Sequence, residues 1–190
     1  MDLRLAGYRE VLTPTLGYHL GSMDEHLVRL ARTLRALYDR HPGAELDVVT
    51  FSFGGVMIRA ALTHPEAPPI RRVVMLAPPN QGASLAAWMR EKIPVHRIGW
   101  DPIAPLLPGV ASAWPPPAAE LGVLAGGTGG TGYSPWLGAD NDGKVRVDEA
   151  MIAGAADFLV LPLRHPFFPI SPMVRRQVRS FLETGRFSRP

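Results

Sequence analysis

Apolar residues occur in two patterns that alternate along this chain. Short, mostly apolar runs predict buried strands of a parallel sheet at residues 48–51, 73–77, 121–125 and 158–163. Apolar residues at helical spacing predict helices at residues 22–41, 54–63, 83–92 and 172–184. A further short strand is predicted at residues 9–13. Because strands and helices alternate, the pattern predicts an α/β fold with a doubly wound, mostly parallel sheet.

The first of these helices carries its own start signal. Ser22 and Glu25 have the spacing of a capping box, in which two side chains satisfy the first backbone N–H groups of a helix. An apolar stripe follows them. It consists of Leu27, Leu30, Ala31, Leu34 and Leu37. The signal and the stripe together predict an amphipathic helix packed against the sheet.

Ser52 lies where the predicted strand at 48–51 meets the next helix. A serine in a sharp turn between a strand and a helix is the arrangement of a nucleophile elbow. The turn requires small residues two positions before and after the serine, where Gly54 fits well and Thr50 fits poorly. Gly55 would let the start of the helix pack close to the sheet. Ser52 is therefore a candidate nucleophile; the alternative is a buried strand that ends in an ordinary turn.

Two residues late in the chain complete a candidate catalytic triad with Ser52. On doubly wound hydrolase sheets the order along the chain is serine, then an acid, then histidine, with the last two in loops after later strands. Asp142 and His165 have this order, and each comes after a predicted strand. A neutral imidazole takes the proton of the serine, and a carboxylate fixes the tautomer of that imidazole. The sequence therefore predicts Asp142 as acid and His165 as base.

Other residues near Asp142 leave the choice of acid open. Asp140 and Asp157 are alternatives, and Asp142 is preferred because the turn that it forms with Gly143 would present its carboxylate. The glycine-rich run at residues 126–132 precedes these residues. It lacks the Gly-Lys-Ser/Thr of a phosphate-binding loop and has no helix directly after it, so it is interpreted as a flexible loop.

Composition and charge exclude several classes of function. With 190 residues, 46% of them hydrophobic, the chain is predicted to be one domain spanning residues 1–190. Its net charge of +3 comes without a Lys/Arg block interleaved with aromatic residues, so no nucleic-acid partner is predicted. There is no cysteine, so neither a disulfide nor a metal site with thiolate ligands is available. Neither a membrane-spanning run nor a signal peptide is recognised, so a cytoplasmic location is predicted.

One segment breaks the alternation of strands and helices. Residues 94–119 are rich in proline but also in large apolar side chains, which is typical of an ordered lid over a binding site. Its large side chains are candidates to line an acyl-binding site. They are Trp100, Leu106, Leu107 and Trp114. The alternative is that these side chains pack on the core.

Several segments, in their order and spacing, resemble the bacterial lipase/esterase branch of the α/β-hydrolase superfamily. They are residues 51–55 (FSFGG), 74–83 (VMLAPPNQGA), 141–145 (NDGKV) and 163–165 (LRH), and residues 181–187 (FLETGRF) are similar to the end of such chains. The resemblance implies hydrolysis of small-molecule or lipid carboxylic esters without a cofactor. It implies Ser52 as nucleophile, Asp142 as acid and His165 as base. It also implies that the backbone N–H of Phe53 is one donor of the oxyanion hole.

The chain departs from this family pattern at its start and at the elbow. Family members begin with an apolar strand and a His-Gly loop that supplies the second oxyanion donor. This chain starts at the end of the helix that follows them, so we expect a sheet without the first central strand and its oxyanion loop. Thr50 replaces the usual glycine, and Phe51 lies where histidine is common. Two alternatives to an esterase stay open: a catalytically impaired binding or interaction protein, and an acyltransferase with the same triad.

Overall fold

The computed structural model describes residues 7–14, 22–93, 101 and 103–189. Its helices and strands alternate as the sequence predicts. The strands are β1 (Asp47–Phe51), β2 (Arg72–Leu76), β3 (Glu120–Gly126) and β4 (Asp157–Leu161). The helices are α1 (Met23–Asp39), α2 (Phe53–Ala61), α3 (Ser84–Lys92), α4 (Val147–Ala150) and α5 (Pro172–Thr184). The four strands predicted from residue 48 onward and the four predicted helices are present within a few residues of their expected bounds.

The four strands form one parallel sheet in the order β1-β2-β3-β4. In its register Phe51 pairs with Leu76, and Leu76 pairs with Leu124. The carboxyl ends of the strands therefore meet at one rim, where ligands bind in sheets of this type.

Helices cover both faces of this sheet. On one face α1 and α2 pack over Val73, Met75 and Val123. On the other face α5 packs over Val74 and Leu124. Because successive residues of a strand point to opposite faces, the apolar runs of β2 and β3 supply both cores at once. The predicted doubly wound α/β fold is confirmed.

The start signal of α1 is also confirmed. The Ser22 side chain accepts a hydrogen bond from the backbone N–H of Glu25, and the Glu25 carboxylate accepts one from the backbone N–H of Ser22. The predicted apolar stripe is buried against the sheet. Capping and burial therefore explain why this stretch is a helix that begins at Met23.

The prediction of a strand at residues 9–13 is wrong. The described segment 7–14 forms no strand, and side chains at its start hold it in place. The Tyr8 hydroxyl donates to Asp47, and Glu10 pairs with Arg40 and His41. A five-residue stretch in which only Val11 and Leu12 are apolar does not make a strand when its backbone has no neighbouring strand to pair with.

The outer side of β1 differs from the interior strands. Leu46 O accepts from Arg71 N–H, and Ser52 N–H donates to Leu76 O, so the even-numbered residues direct their backbone groups toward β2. Val49 and Phe51 direct theirs away from β2, and no further strand lies there among the described residues. A cavity of about 920 Å³ runs along this side, lined by apolar side chains of β1, α1 and the 7–14 segment.

Candidate active site

Ser52 lies in a strained turn at the rim, between β1 and α2. Its φ of 53° and ψ of −126° lie in a region that non-glycine residues rarely adopt. Its backbone N–H donates to Leu76 O at 2.8 Å, which ties the turn to the end of β2. Such strain costs about 1–3 kcal/mol and persists only where the surrounding structure imposes it. The structure thus has the strand, strained turn and helix that the sequence predicts around Ser52.

Small residues after Ser52 allow the helix to start this close to the sheet. A Cβ at Gly55 would lie 2.8 Å from Cβ of Pro78, which is too close for a side chain. A Cβ at Gly54 would lie 3.5 Å from Cβ of Thr50, an ordinary contact. Thr50 is therefore accommodated at the position where the sequence pattern expects glycine, and Gly55 is the residue that cannot change.

His165 follows β4 and lies across the rim from Ser52. Its Nε2 atom is 2.9 Å from Ser52 Oγ, and its Nδ1 atom is 2.6 Å from Asp142 Oδ2. The imidazole is 4% exposed, and the Phe51 ring packs on it at 5.0 Å between centroids. The structure therefore brings the predicted serine, histidine and aspartate together in one hydrogen-bonded line.

Asp142 is held by the backbone of its own turn. Its Oδ1 atom accepts hydrogen bonds from the N–H groups of Lys144 (2.9 Å) and Val145 (2.8 Å). Its backbone carbonyl accepts from the N–H of His165 at 2.9 Å. With Oδ1 occupied in this way and the residue 1% exposed, Oδ2 faces His165.

The two alternative acids have other partners. Asp140 accepts hydrogen bonds from the backbone N–H groups of Thr128 and Gly129. Burial alone would raise the pKa of Asp140, but these hydrogen bonds outweigh it and hold the pKa below its usual range. Asp157 begins β4 and pairs with Arg189, which lowers its pKa. Neither carboxylate is bonded to His165.

The remaining predicted site residues lie in different surroundings. Phe53 is the first residue of α2, so its N–H lies at the positive end of the helix dipole, beside Ser52. Trp114 is partly buried and packs against the core on the α2 side of the sheet. Leu106 and Leu107 are partly exposed, in the segment that follows α3. Trp100 lies outside the described residues.

This segment is fixed to the rest of the domain by a residue that the sequence analysis did not single out. Arg59 of α2 is 2% exposed, and its guanidinium donates to the carbonyls of Asn80, Trp114 and Pro115. Burial lowers the pKa of Arg59. No carboxylate pairs with it in the described part of the chain. The one available signal was a charged residue inside an apolar helix pattern.

A second contact holds the same segment over the loop after β2. Ala83 N–H donates to Leu106 O at 2.8 Å. A Cβ at Gly82 would lie 2.4 Å from the backbone nitrogen of Pro108, so the two backbones touch. Residues 106–108 of the predicted lid segment therefore contact the loop after β2 directly.

The described residues contain neither a metal-binding cluster nor a membrane-spanning helix. No group of three or more histidine, aspartate or glutamate side chains within them is arranged to hold a metal ion. Among the helices of residues 7–14, 22–93 and 103–189, none has the length and apolarity needed to cross a membrane.

Comparison with known proteins gives matches to structures but not to sequences. No protein-family model matches the chain, and no curated protein matches it in sequence. The mature form of Bacillus licheniformis lipase BlEst2 aligns with a TM-score of 0.61 at 22% identity, over 87% of this chain and 75% of the lipase. The propeptide form of the same lipase aligns with a TM-score of 0.67 at 20% identity, over 88% of this chain and 41% of that one.

A third structure extends the comparison to another protein. The metagenomic carboxyl esterase MGS0156 aligns with a TM-score of 0.54 at 21% identity, over 85% of this chain and 57% of the esterase. Together with the four-stranded parallel sheet and its flanking helices, these likenesses settle the fold. The chain has an α/β-hydrolase-like fold. It spans less than two thirds of the length of the propeptide form and of the esterase.

Proposed function

We propose that this chain is a serine hydrolase that cleaves carboxylic esters through an acyl-enzyme on Ser52. The observation that carries the proposal is the line of hydrogen bonds from Ser52 Oγ through His165 to Asp142. A serine hydroxyl is a weak nucleophile until a base takes its proton, and a buried imidazole held by a carboxylate is such a base. The fold shared with a lipase and a carboxyl esterase supports this class of reaction.

In the proposed first half-reaction, Ser52 Oγ attacks the ester carbonyl carbon as its proton passes to Nε2 of His165. The negative charge that develops on the carbonyl oxygen is stabilised by the N–H of Phe53. The tetrahedral intermediate then collapses, the bond to the alcohol breaks, and the imidazolium gives its proton to the departing alkoxide. Asp142 stabilises the imidazolium and remains ionised throughout.

In the second half-reaction, water attacks the acyl-enzyme and gives a proton to His165. The acid is released and the proton returns to Ser52 Oγ, so the enzyme ends as it began. If an alcohol takes the place of water, the product is a new ester and the reaction is acyl transfer. This second candidate uses the same residues, and an assay of ester products with an added alcohol separates the two.

The substrate side of the proposal rests on the segment that Arg59 and Gly82 fix beside the rim. Leu106, Leu107 and Trp114 belong to it, and we propose that Leu106 and Leu107 line the acyl site. Trp114 already packs on the core, so its role is to support the segment. Trp100 remains a predicted acyl-site residue of the same segment. The expected substrates are carboxylic esters of small molecules or lipids.

The test is a panel of nitrophenyl esters of increasing acyl length, with the purified chain and its Ser52→Ala variant. Hydrolysis by the parent above the variant supports the proposal, and the preferred length measures the acyl site. If the folded parent releases no more nitrophenol than the variant on any ester, the proposal fails. The remaining alternative is then a binding protein that kept the fold.

A further inference from the structure

Asn141 is a buried residue next to the proposed acid, and every polar atom of its side chain has a partner. Nδ2 faces the carbonyl oxygens of Thr131 (3.3 Å), Ser134 (3.1 Å) and Ala139 (2.7 Å). Oδ1 accepts from the N–H groups of Ser134 (3.0 Å) and Gly143 (2.8 Å). The side chain is 0% exposed. Only an amide offers donors and acceptors in this arrangement.

The bond to Gly143 connects this network to Asp142. It fixes the peptide that follows Asp142, in a turn where Gly143 has a φ of 103°. Fixing that turn places the N–H groups of Lys144 and Val145 on Oδ1 of Asp142, which leaves Oδ2 for the histidine. The orientation of the carboxylate therefore depends on a turn that Asn141 holds closed.

The glycine-rich loop at residues 126–132 also contacts Asn141 closely. A Cβ at Gly132 would lie 2.2 Å from Nδ2 of Asn141 and 2.4 Å from its backbone nitrogen. Asp140 holds the opposite end of this loop through Thr128 and Gly129. The run that the sequence analysis interpreted as a flexible loop is thus fixed by the two residues that precede Asp142.

We propose that Asn141 is a positioning residue for the triad, holding the Asp142 turn so that the carboxylate meets Nδ1 of His165. Asn141 itself touches neither substrate nor reacting atoms. The inference rests on the proposed function, because it explains how the acid of that reaction is kept in place.

Two substitutions of Asn141 itself change this hydrogen-bond network. Asn141→Asp keeps the shape and the acceptor but sets an oxygen against three carbonyl oxygens, and Asn141→Ala removes every bond of the side chain. A displacement of the acid by about 1 Å would lower kcat on the order of 10²-fold. KM should change little, because the ester does not contact Asn141.

A second pair of variants changes the glycine-rich loop and leaves Asn141 in place. These variants test the proposal even if the Asn141 variants fail to fold. Gly132→Ala drives a Cβ into Asn141, whereas Gly129→Ala meets nothing within 4 Å. The two glycines have nearly equal φ values, 74° and 79°, so the backbone strain of the substitution is matched. We expect Gly132→Ala to lower kcat on the order of tenfold or more and Gly129→Ala to leave it within about twofold.

The deciding readout is the downfield proton resonance of the His165 Nδ1–H, measured by NMR on labelled protein. A merely structural role for Asn141 would lower the unfolding midpoint and leave this resonance in place. The inference predicts that it shifts upfield or disappears in Asn141→Asp and Gly132→Ala and stays in Gly129→Ala. Unchanged resonance and unchanged kcat in folded Asn141→Asp and Gly132→Ala would overturn it.

The experiment also separates this inference from the proposed function. A folded parent without esterase activity would count against the proposed function, while the resonance still reports whether Asn141 sets the Asp142–His165 contact. An active parent with active, unshifted variants would count against the inference alone.

Discussion

The loops that follow β3 and β4 differ sharply from the outer side of β1 in how completely their polar groups are paired. In the loops, Asp140, Asn141 and Asp142 each bond to several neighbours, and His165 is held on both ring nitrogens. Along β1, Val49 and Phe51 direct backbone groups away from the sheet, toward a cavity of about 920 Å³. The two regions flank the same serine.

This difference divides the proposed chemistry into two parts. The proposed base and acid are held by contacts within the described residues. The negative charge on the carbonyl oxygen develops on the β1 side. Among the described residues, we assign its stabilisation to the N–H of Phe53 alone. Loss of one oxyanion donor costs about 10²–10³ in turnover.

The largest expected effect tests the acid–base region. In Asp142→Asn, Oδ1 keeps its bonds to Lys144 and Val145, but an NH₂ group replaces Oδ2 and faces Nδ1 of His165. The imidazole must then accept at Nδ1 and carry its proton on Nε2, where it cannot act as base. We expect kcat to fall about 10⁴-fold with the fold intact, measured on the best ester of the panel.

Asp140→Asn is the matched control for this substitution. It removes a neighbouring carboxylate that holds the glycine-rich loop and does not touch His165. The kcat of Asp140→Asn should fall far less than that of Asp142→Asn. If both variants lose the same factor, or if Asp142→Asn keeps most of its activity, the acid has been assigned to the wrong residue.

The next effect concerns the segment fixed beside the rim, between the two regions. Arg59→Met leaves the carbonyls of Asn80, Trp114 and Pro115 without their donor in a buried site. Each unsatisfied group costs roughly 1–3 kcal/mol, so we expect the unfolding free energy to drop by about 2 kcal/mol or more. Hydrogen exchange should quicken at Ala83 and at residues 103–114.

Arg59→Lys is the companion variant. It keeps the charge, but a single ammonium cannot reach three carbonyl groups, so stability should recover only in part. Unchanged exchange at residues 103–114 in Arg59→Met would show that the Gly82 contact alone holds the segment.

The smallest effect has the opposite sign and lies in β1. The buried Thr50 hydroxyl has no hydrogen-bond partner among the residues that the structure describes. Thr50→Val keeps the shape and the β-branched side chain, so it should stabilise the domain by about 1 kcal/mol in urea unfolding. Thr63→Val is the control, since that hydroxyl donates to Ala60 O and its loss should bring no gain. A destabilised Thr50→Val would mean that the hydroxyl is satisfied in solution.

The fold and the close approach of Ser52, Asp142 and His165 could be predicted because short-range patterns carry them. Short, mostly apolar runs and helical stripes of period 3.6 predicted the β1–β4 sheet and its helices. The serine between strand and helix, and the order of Asp142 and His165 after later strands, predicted which residues the sheet brings to one rim. The strand patterns are reliable because a parallel strand that is packed on both faces must be apolar along nearly its whole length.

The contacts that the sequence did not predict connect positions far apart in the chain. The bonds from Arg59 to Trp114 and Pro115 and those from Asn141 to Thr131 depend on which loops the fold brings together. The segment at residues 9–13 shows the opposite failure, because a local strand pattern was present without a neighbouring ladder. Tertiary context decides both outcomes: it makes the long-range contacts, and it leaves the stretch at residues 9–13 without a strand to pair with.

The most direct test of the central claim is labelling of the purified chain with a fluorophosphonate, which reacts with an activated serine hydroxyl. Ser52→Ala and His165→Ala are labelled alongside, each checked for folding by circular dichroism. We expect a labelled parent and two unlabelled variants, because only the Ser52–His165 pair activates the nucleophile. A folded parent that takes no label, or label that persists in Ser52→Ala, would contradict it.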